Sequence, residues 1–308
     1  MNRAVMYDTF GGPEVLQLRK APQPHAGAGE VRVRVATVGL NPMDWVLTSM
    51  PEVAQQFGLT LPSGFATDFA GTVDEVGEGI CDFTVGDRVY GAATGRAAAD
   101  FVVVALSGPA DTLRHTPAEI SDEVASTLAV AGMTASAALA AAGVKSGDTV
   151  LIGGAAGGVG VFAIQLAKLT GARVIGTASE GTFDFLRQFG VDPVTYGPGL
   201  EERVRAMTSD GVSAAADLFG TETAEAALAL GVPPERISTI AAPNPPQGVH
   251  ATGGINAHPE DLKRITDAIV AGDLTVPIAA TFPIEQIREA VKLQAGRRVH
   301  GKIVVSLS

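Results

Sequence analysis

Strict alternation of apolar and polar residues first shows at Val31-Arg32-Val33-Arg34-Val35, where the valines share one face and predict a half-buried strand. Short apolar runs follow at Phe69-Ala70-Gly71-Thr72-Val73, Arg88-Val89-Tyr90-Gly91 and Phe101-Val102-Val103-Val104, with turns such as Val85-Gly86-Asp87 between them. This pattern predicts a compact, glycine-rich β domain up to about residue 104. At Thr116-Pro117-Ala118-Glu119, Thr takes a cap position, Pro the first helical position and Glu the third, so a helical region is predicted to start there. The most apolar tract, residues 128–144, is rich in alanine and interrupted by Gly132, Thr134 and Ser136, which predicts a buried helix instead of a membrane span.

From residue 149 the pattern changes. The run Thr149-Val150-Leu151-Ile152 enters a glycine-rich turn, and an amphipathic stretch follows with Val161, Ile164, Leu166, Ala167 and Leu169 mostly at helical spacing. Gly171 closes that helix, and Arg173-Val174-Ile175-Gly176-Thr177 reads as a second buried strand. Strand, glycine turn, helix and strand form the unit that binds dinucleotides, with the pyrophosphate on the helix N-terminus. The turn reads Ala155-x-Gly157-x-x-Gly160, so Ala155, Gly157, Gly158, Val159 and Gly160 are candidates for the cradle. The same small residues also serve tight helix–sheet packing with no ligand; the flanking strands and helix are what favour a dinucleotide. No Gly-Lys-Ser/Thr follows, which argues against a nucleoside triphosphate. Helices are predicted over 183–189, 200–207, 221–230 and 260–271, with strands over 194–196, 214–219 and 237–240. Such alternation implies a mostly parallel, doubly wound sheet, hence an α/β protein. The tail, residues 283–307, adds one more helix and a final strand at Lys302-Ile303-Val304-Val305.

The 308 residues suggest one large or two medium domains, and their net charge of -11 argues against nonspecific nucleic-acid binding and against anionic membrane surfaces. The single Cys81 excludes an internal disulfide and a multi-thiolate zinc lobe. The first twelve residues, MNRAVMYDTFGG, lack an apolar core of signal-peptide length, so a cytoplasmic protein is expected.

Seven short motifs in order carry a resemblance. They are Gly39-Leu40-Asn41-Pro42-Met43-Asp44-Trp45, Asp68-Phe69-Ala70-Gly71-Thr72-Val73, Val85-Gly86-Asp87-Arg88-Val89 and Val130-Ala131-Gly132-Met133-Thr134-Ala135, then the turn from Ala155 to Gly160, Asp184-Phe185-Leu186-Arg187 and Gly301-Lys302-Ile303-Val304. With these the chain resembles the zinc-independent quinone oxidoreductase branch of the medium-chain dehydrogenase/reductase superfamily. The resemblance implies a GroES-like β domain from both chain ends (residues 1–121 and 274–308), with a Rossmann domain (residues 122–273) inserted and catalysis in the cleft between them. Zinc-dependent relatives carry a Cys ligand where Asn41 stands and Gly-His-Glu where this chain reads Ala66-Thr67-Asp68. The five histidines are scattered, and no metal is expected.

By the same resemblance Asn41 and Asp44 are the catalytic candidates. The Asn41 amide would line the cleft near the nicotinamide, although a turn residue before Pro42 is the plainer reading. Asp44 could act as a general acid only if burial raised its pKa; otherwise it caps the following turn. Thr134 matches a threonine near the nicotinamide ribose, or else bonds back to its own helix. Ala178 stands where NAD-using relatives carry an acid, and Ser179 and Tyr196 match residues at the adenosine-phosphate end, so NADPH is the cofactor favoured. Glu180 and the lack of a basic residue before Arg187 weigh the other way. Lys302 is carried over as a cofactor-binding residue. Substrate-side departures at Val46, Phe65-Ala66-Thr67 and His300 leave the substrate open. The activity implied is reduction of a quinone or α,β-unsaturated carbonyl, with an enoyl-thioester reductase or a non-catalytic NADPH-binding protein as alternatives. Gly248-Val249-His250-Ala251-Thr252 aligns with an edge strand that pairs across a homodimer two-fold.

Overall fold

The structure is a computed structural model and describes residues 2–108 and 111–307. The chain divides into two compact units, one running up to Val130 and resuming at Ile278, the other spanning Ala131–Pro277.

The first unit begins with β1 (Asn2–Tyr7), β2 (Gln17–Ala21) and the long β3 (Glu30–Leu40), followed by helices α1 (Pro42–Ser49) and α2 (Pro51–Gln56). Strands β4 (Ser63–Gly64), β5 (Asp68–Val76), β6 (Arg88–Ala93), β7 (Phe101–Ala105) and β8 (Asp111–His115) come next, then α3 (Asp122–Ala125) and α4 (Ala129–Ala141), which crosses into the second unit. Strand β3 organises this half. Strand β5 pairs along nearly its whole length, while β7 takes residues Glu30 to Arg34 and the chain's last strand takes Thr37 to Leu40. Val31, Val33, Val35, Val38 and Leu40 are buried against Phe69, Val89, Val102 and Val104. Each such side chain contributes roughly 1.5–3 kcal/mol. The polar face of the alternating stretch is partly covered as well. Arg32 is 7 % exposed, its guanidinium held by Asp74 at 2.8 Å and lying over the Phe101 ring.

Two expectations shift here. Residues 116–120 are turn, and the helix begins instead at Asp122, where the Ser121 hydroxyl accepts from the Val124 N–H. Helix α3 then packs on β3 and β5, which carries the first unit past residue 121 to Val130.

The second unit contains β9 (Thr149–Gly153), α5 (Gly160–Leu169), β10 (Arg173–Ala178), α6 (Phe183–Arg187), β11 (Asp192–Thr195) and α7 (Leu200–Met207). It continues through β12 (Ala214–Asp217), α8 (Glu222–Ala229), β13 (Ile237–Thr239), β14 (His250–Ala251) and α9 (Asp261–Val270). All six strands pair in parallel, in the order β11-β10-β9-β12-β13-β14. Counted from β9 this is the doubly wound Rossmann order, whose switch point lies between β9 and β12. The edge strand β14 is exposed. Among the described residues no helix is long and apolar enough to cross a membrane.

The chain returns to the first unit with β15 (Ile278–Pro283), α10 (Ile287–Ala295) and β16 (Lys302–Ser306). Strand β15 falls in a segment where no strand is predicted, and it moves the return point from residue 274 to Ile278. Strand β16 lies antiparallel to β3, with Ile303 opposite Leu40 and Val304 opposite Gly39.

Candidate active site

The candidate residues fall into two sets, one in each unit. In the second unit the turn after β9 passes through Gly154 at φ +66° and returns onto α5. The return is tight: a Cβ on Gly160 would sit 2.3 Å from the Gly154 carbonyl oxygen and 2.5 Å from that of Ala155. Glycine at 160 is therefore a requirement of the turn itself. Gly157 differs, because a Cβ there would meet only the Gly154 oxygen, at 3.3 Å. Ala155 is fully buried against β10, where Gly176 gives it room. No side chain caps the N-terminus of α5, and the amides of Gly158, Val159 and Gly160 find no acceptor among the described residues. By contrast the neighbouring α8 is already served. The buried Asp217, at the end of β12, accepts from the N–H groups of Phe219, Gly220, Thr223 and Ala224 at 2.9–3.1 Å. Of the two helix starts flanking the switch point, the α5 end is open to an anion and the α8 end holds an internal one. The glycine turn thus fits a dinucleotide pyrophosphate.

At the ends of the next strands, Ser179 is exposed, its hydroxyl 2.8 Å from that of Thr182. Ala178 pairs with Thr195, which brings Ser179 and the 58 %-exposed Tyr196 to adjacent strand ends. Beneath them the Arg203 guanidinium donates to the carbonyls of Thr195, Tyr196, Gly197 and Pro198. Sequence reasoning missed this cation because it lies on α7, after the strand that it serves. Thr134 lies in α4 with its Oγ1 toward Gly254, where a Cβ would approach to 3.2 Å. Among the described residues its hydroxyl makes no bond back to its own helix.

The first unit gathers Asn41, Asp44, Asp68 and Lys302. Antiparallel register is the cause. Strand β5 places Asp68 opposite Gly39, and β16 brings Lys302 alongside the end of β3 from the other edge. Asn41, just past Leu40, then lies between them. Gly39 permits this, since a Cβ would run into the Ser126 carbonyl oxygen at 2.0 Å. The Asn41 Nδ2 donates to Asp68 Oδ2 at 2.9 Å, and Lys302 Nζ donates to Asn41 Oδ1 at 2.6 Å and to the Leu40 carbonyl at 3.0 Å. Asp68 also accepts from the Val130 N–H at 3.1 Å. Pro42 opens α1, and Asp44 turns back to accept from the Asn41 N–H at 2.7 Å. Its other oxygen meets no donor at good hydrogen-bond geometry among the described residues, although the nearby Thr67 side chain also favours the charged form.

All four side chains are at most 3 % exposed. Burial pushes the Asp44 carboxyl up to about 7; the Asn41 N–H opposes the rise and the nearby Asp68 charge adds to it. Burial raises Asp68 to about 6, restrained by the Lys302 ammonium, the Asn41 amide and the Val130 N–H. The same burial lowers Lys302, against the pull of both carboxylates. Two carboxyls and one lysine thus share the interior, and burial favours the protonated form of Asp44 more than that of Asp68. Asp44 caps the turn, and its burial supplies the raised pKa that a general acid would require. Lys302, carried over as a cofactor residue, is seated on Asn41. Asp68 was not among the sequence candidates, although an acid opening a buried strand is a signal in retrospect.

A zinc ion does not suit this position. Asn41 Oδ1 already faces an ammonium at 2.6 Å, which repels a second cation. Among the described residues no three His, Cys, Asp or Glu side chains gather as a metal group.

Comparison with known proteins agrees with both halves. The family described as alcohol dehydrogenase GroES-like domain matches residues 27–105, and the family described as zinc-binding dehydrogenase matches residues 158–268. A quinone oxidoreductase from Pseudomonas aeruginosa is 31 % identical, over 99 % of both chains. The quinone oxidoreductase of Coxiella burnetii superposes with a TM-score of 0.87 at 29 % identity, covering 100 % of this chain and 99 % of that one. A mycobacterial protein solved in complex with NADPH gives a TM-score of 0.84 at 28 % identity, over 99 % of this chain and 100 % of its own. The chain belongs to the quinone oxidoreductase branch of the medium-chain dehydrogenase/reductase superfamily, and is an oxidoreductase of small molecules that works with a nicotinamide cofactor.

Proposed function

We propose that the protein reduces quinones or α,β-unsaturated carbonyls with NADPH and without zinc. The observation that carries this reading is the buried Asn41–Asp68–Lys302 arrangement, which puts a hydrogen-bonded amide and an ammonium where a metal-dependent relative needs a thiolate. Oxidation of a simple alcohol must remove a proton of very high pKa, which calls for a Lewis acid or a matched base. Hydride addition to a quinone or enone instead leaves a delocalised, weakly basic anion. Such an anion needs hydrogen-bond donors, a site without excess negative charge, and a proton. When Asp44 is protonated, below about pH 7, the charges of Asp68 and Lys302 balance and the cluster does not repel a developing anion. Orientation of acceptor and nicotinamide then supplies most of the rate. The exposed edge of β14 supports a homodimer.

For NADPH over NADH, the support is Ala178 in place of an acid, the exposed Ser179 hydroxyl, and the Arg203 cation under the adjacent strand end. Ser179→Ala is expected to narrow the NADPH-over-NADH preference by about 1 kcal/mol, the scale of one hydrogen bond. Titration of both cofactors against both proteins measures it; equal affinities in the wild type, unchanged in the mutant, would give Glu180 the deciding role.

The decisive assay sets NADPH against quinones, enones and simple aldehydes, and NADP against primary alcohols. Quinone or enone reduction is expected to dominate in kcat/KM. Alcohol oxidation of equal efficiency refutes the proposal, and cofactor binding with no turnover on any acceptor favours the binding-only alternative.

A further inference from the structure

The Asn41 amide is held at both ends. An asparagine side chain has two nearly isosteric orientations, related by a half-turn that exchanges Oδ1 and Nδ2, and only the partners decide between them. Here the partners have opposite character. Asp68, when charged, can only accept, and Lys302 can only donate. A flipped amide would aim Oδ1 at the Asp68 carboxylate and Nδ2 at the Lys302 ammonium, exchanging two charge-assisted hydrogen bonds for two repulsions.

We propose that Asp68 and Lys302 are positioning residues for the reductase, which lock the Asn41 amide in a single orientation and so fix the direction of its donor. This rests on the reading of Asn41 as the acceptor-facing amide. One Nδ2 hydrogen goes to Asp68. Among the described residues the other has only the Gly39 carbonyl, at a marginal 3.5 Å, and is the donor left to serve an acceptor oxygen.

Anchorage of the two partners fits the task. Asp68 is tied to the Val130 N–H at the start of α4, and Lys302 to the Leu40 carbonyl at the end of β3. Neither can follow the amide if it turns. Both are buried, at 0 % and 2 % exposure, where a charge serving only surface solubility has no place. A packed apolar pair would stabilise this spot at least as well, since removing two charges from water costs several kcal/mol each. What the ionic pair adds is directionality. The groups that face the amide are Asp68 from β5, Lys302 from β16 and Asp44 from α1.

The test uses Lys302→Met, Lys302→Arg and Asp68→Asn, with two readouts. The first is NMR of the Asn41 side-chain amide in cofactor-free protein. The wild type is expected to show two sharp, well-separated Nδ2 proton resonances. In Lys302→Met and in Asp68→Asn, whose new amide can donate or accept, these are expected to broaden or shift toward each other. The second is steady-state reduction of whichever quinone or enone the wild type turns over. Both variants are expected to lower kcat by about tenfold to a hundredfold while the NADPH dissociation constant stays within about twofold. Lys302→Arg, which keeps a donor cation, is expected to recover most of the loss in both readouts. If Lys302→Met fails to fold, Asp68→Asn carries the test alone, because it keeps size and shape.

Unchanged Asn41 resonances in a folded variant overturn the proposal. So does loss of NADPH affinity with the Asn41 signals intact, which would make Lys302 a cofactor ligand. A wild type without reductase turnover defeats the functional reading, whereas the NMR readout still decides whether the amide is locked.

Discussion

Replacing Gly157 by valine is expected to cost the protein its cofactor but not its fold. A Cβ at this position meets a single protein atom, the Gly154 carbonyl oxygen at 3.3 Å, and the residue has no positive φ to demand glycine. A side chain there needs the Gly154 carbonyl to give by a few tenths of an ångström, far less than at Gly160. A pyrophosphate on the free amides of Gly158, Val159 and Gly160 does require it, because a branched side chain would occupy the approach. Gly157→Val is therefore expected to weaken NADPH binding at least about a hundredfold, some 2.7 kcal/mol, with the melting temperature of the cofactor-free protein nearly unchanged. Gly160→Ala is the control with the opposite signature. Its methyl group would collide with two backbone carbonyls, so stability drops by a few kcal/mol even without cofactor. Calorimetric titration together with thermal melts of the two variants separates the roles. If Gly157→Val binds NADPH like the wild type, the pyrophosphate does not rest on this turn.

The second large effect concerns pH. Burial lifts Asp44 from its ordinary 3.8 to about 7, so between these values the folded protein holds a proton that the unfolded chain releases. Stability from this group is complete below about pH 4 and is lost as pH rises through 7, by an amount of roughly 4 kcal/mol if the displacement is realised in full. Asp68, raised to about 6, adds a smaller decline of the same sign. Denaturant unfolding between pH 5 and 8 should show stability falling as pH rises. Asp44→Asn, neutral throughout and still able to accept from the Asn41 N–H, should flatten most of that fall and leave the protein about 1–3 kcal/mol more stable than the wild type at pH 8. A wild-type curve that rose with pH would mean that the cluster is not closed to water. Turnover of the same variant separates two roles for Asp44. Retained kcat assigns it to charge balance, and a lost kcat makes it the proton source.

Legibility differed sharply between the two halves. The β9–α5–β10 unit could be read from sequence because every relation in it is local: an apolar run, glycines at fixed offsets and helical spacing within about thirty residues. Helix α7 was bounded to the residue for the same reason. The Asn41 cluster depends on two antiparallel registers, Gly39 with Asp68 and Leu40 with Ile303, and the pattern within a strand does not say which residue of another strand it will face. Its members were visible singly, as an amide before proline and a lysine after glycine, but not as partners. The helix expected at Thr116 shows a related limit. Thr-Pro-x-Glu carries the right residues, yet Thr116 is held to the Arg88 carbonyl as a continuation of β8, and Ser121 takes over as cap.

The place of β16 in the first unit bears on how the protein is made. Lys302 and Asn41 are 261 residues apart in the chain, so the sheet that joins them cannot close until β16 has been synthesised. The Rossmann unit, wholly contained in Ala131–Pro277, suffers no such delay and can fold before β15 and β16 are made. Once folded it replaces a long flexible loop with a fixed span, which lowers the entropy cost of bringing β16 to β3. Until then the far edge of β3, from Thr37 to Leu40, stands unpaired and apolar, and Asp68 has no cation beside it. An unpaired apolar strand edge of this kind invites pairing with another chain, so that waiting state is open to aggregation. Variants that destabilise the inserted unit should therefore reduce the yield of correctly closed protein even where they touch nothing in the Asn41 cluster.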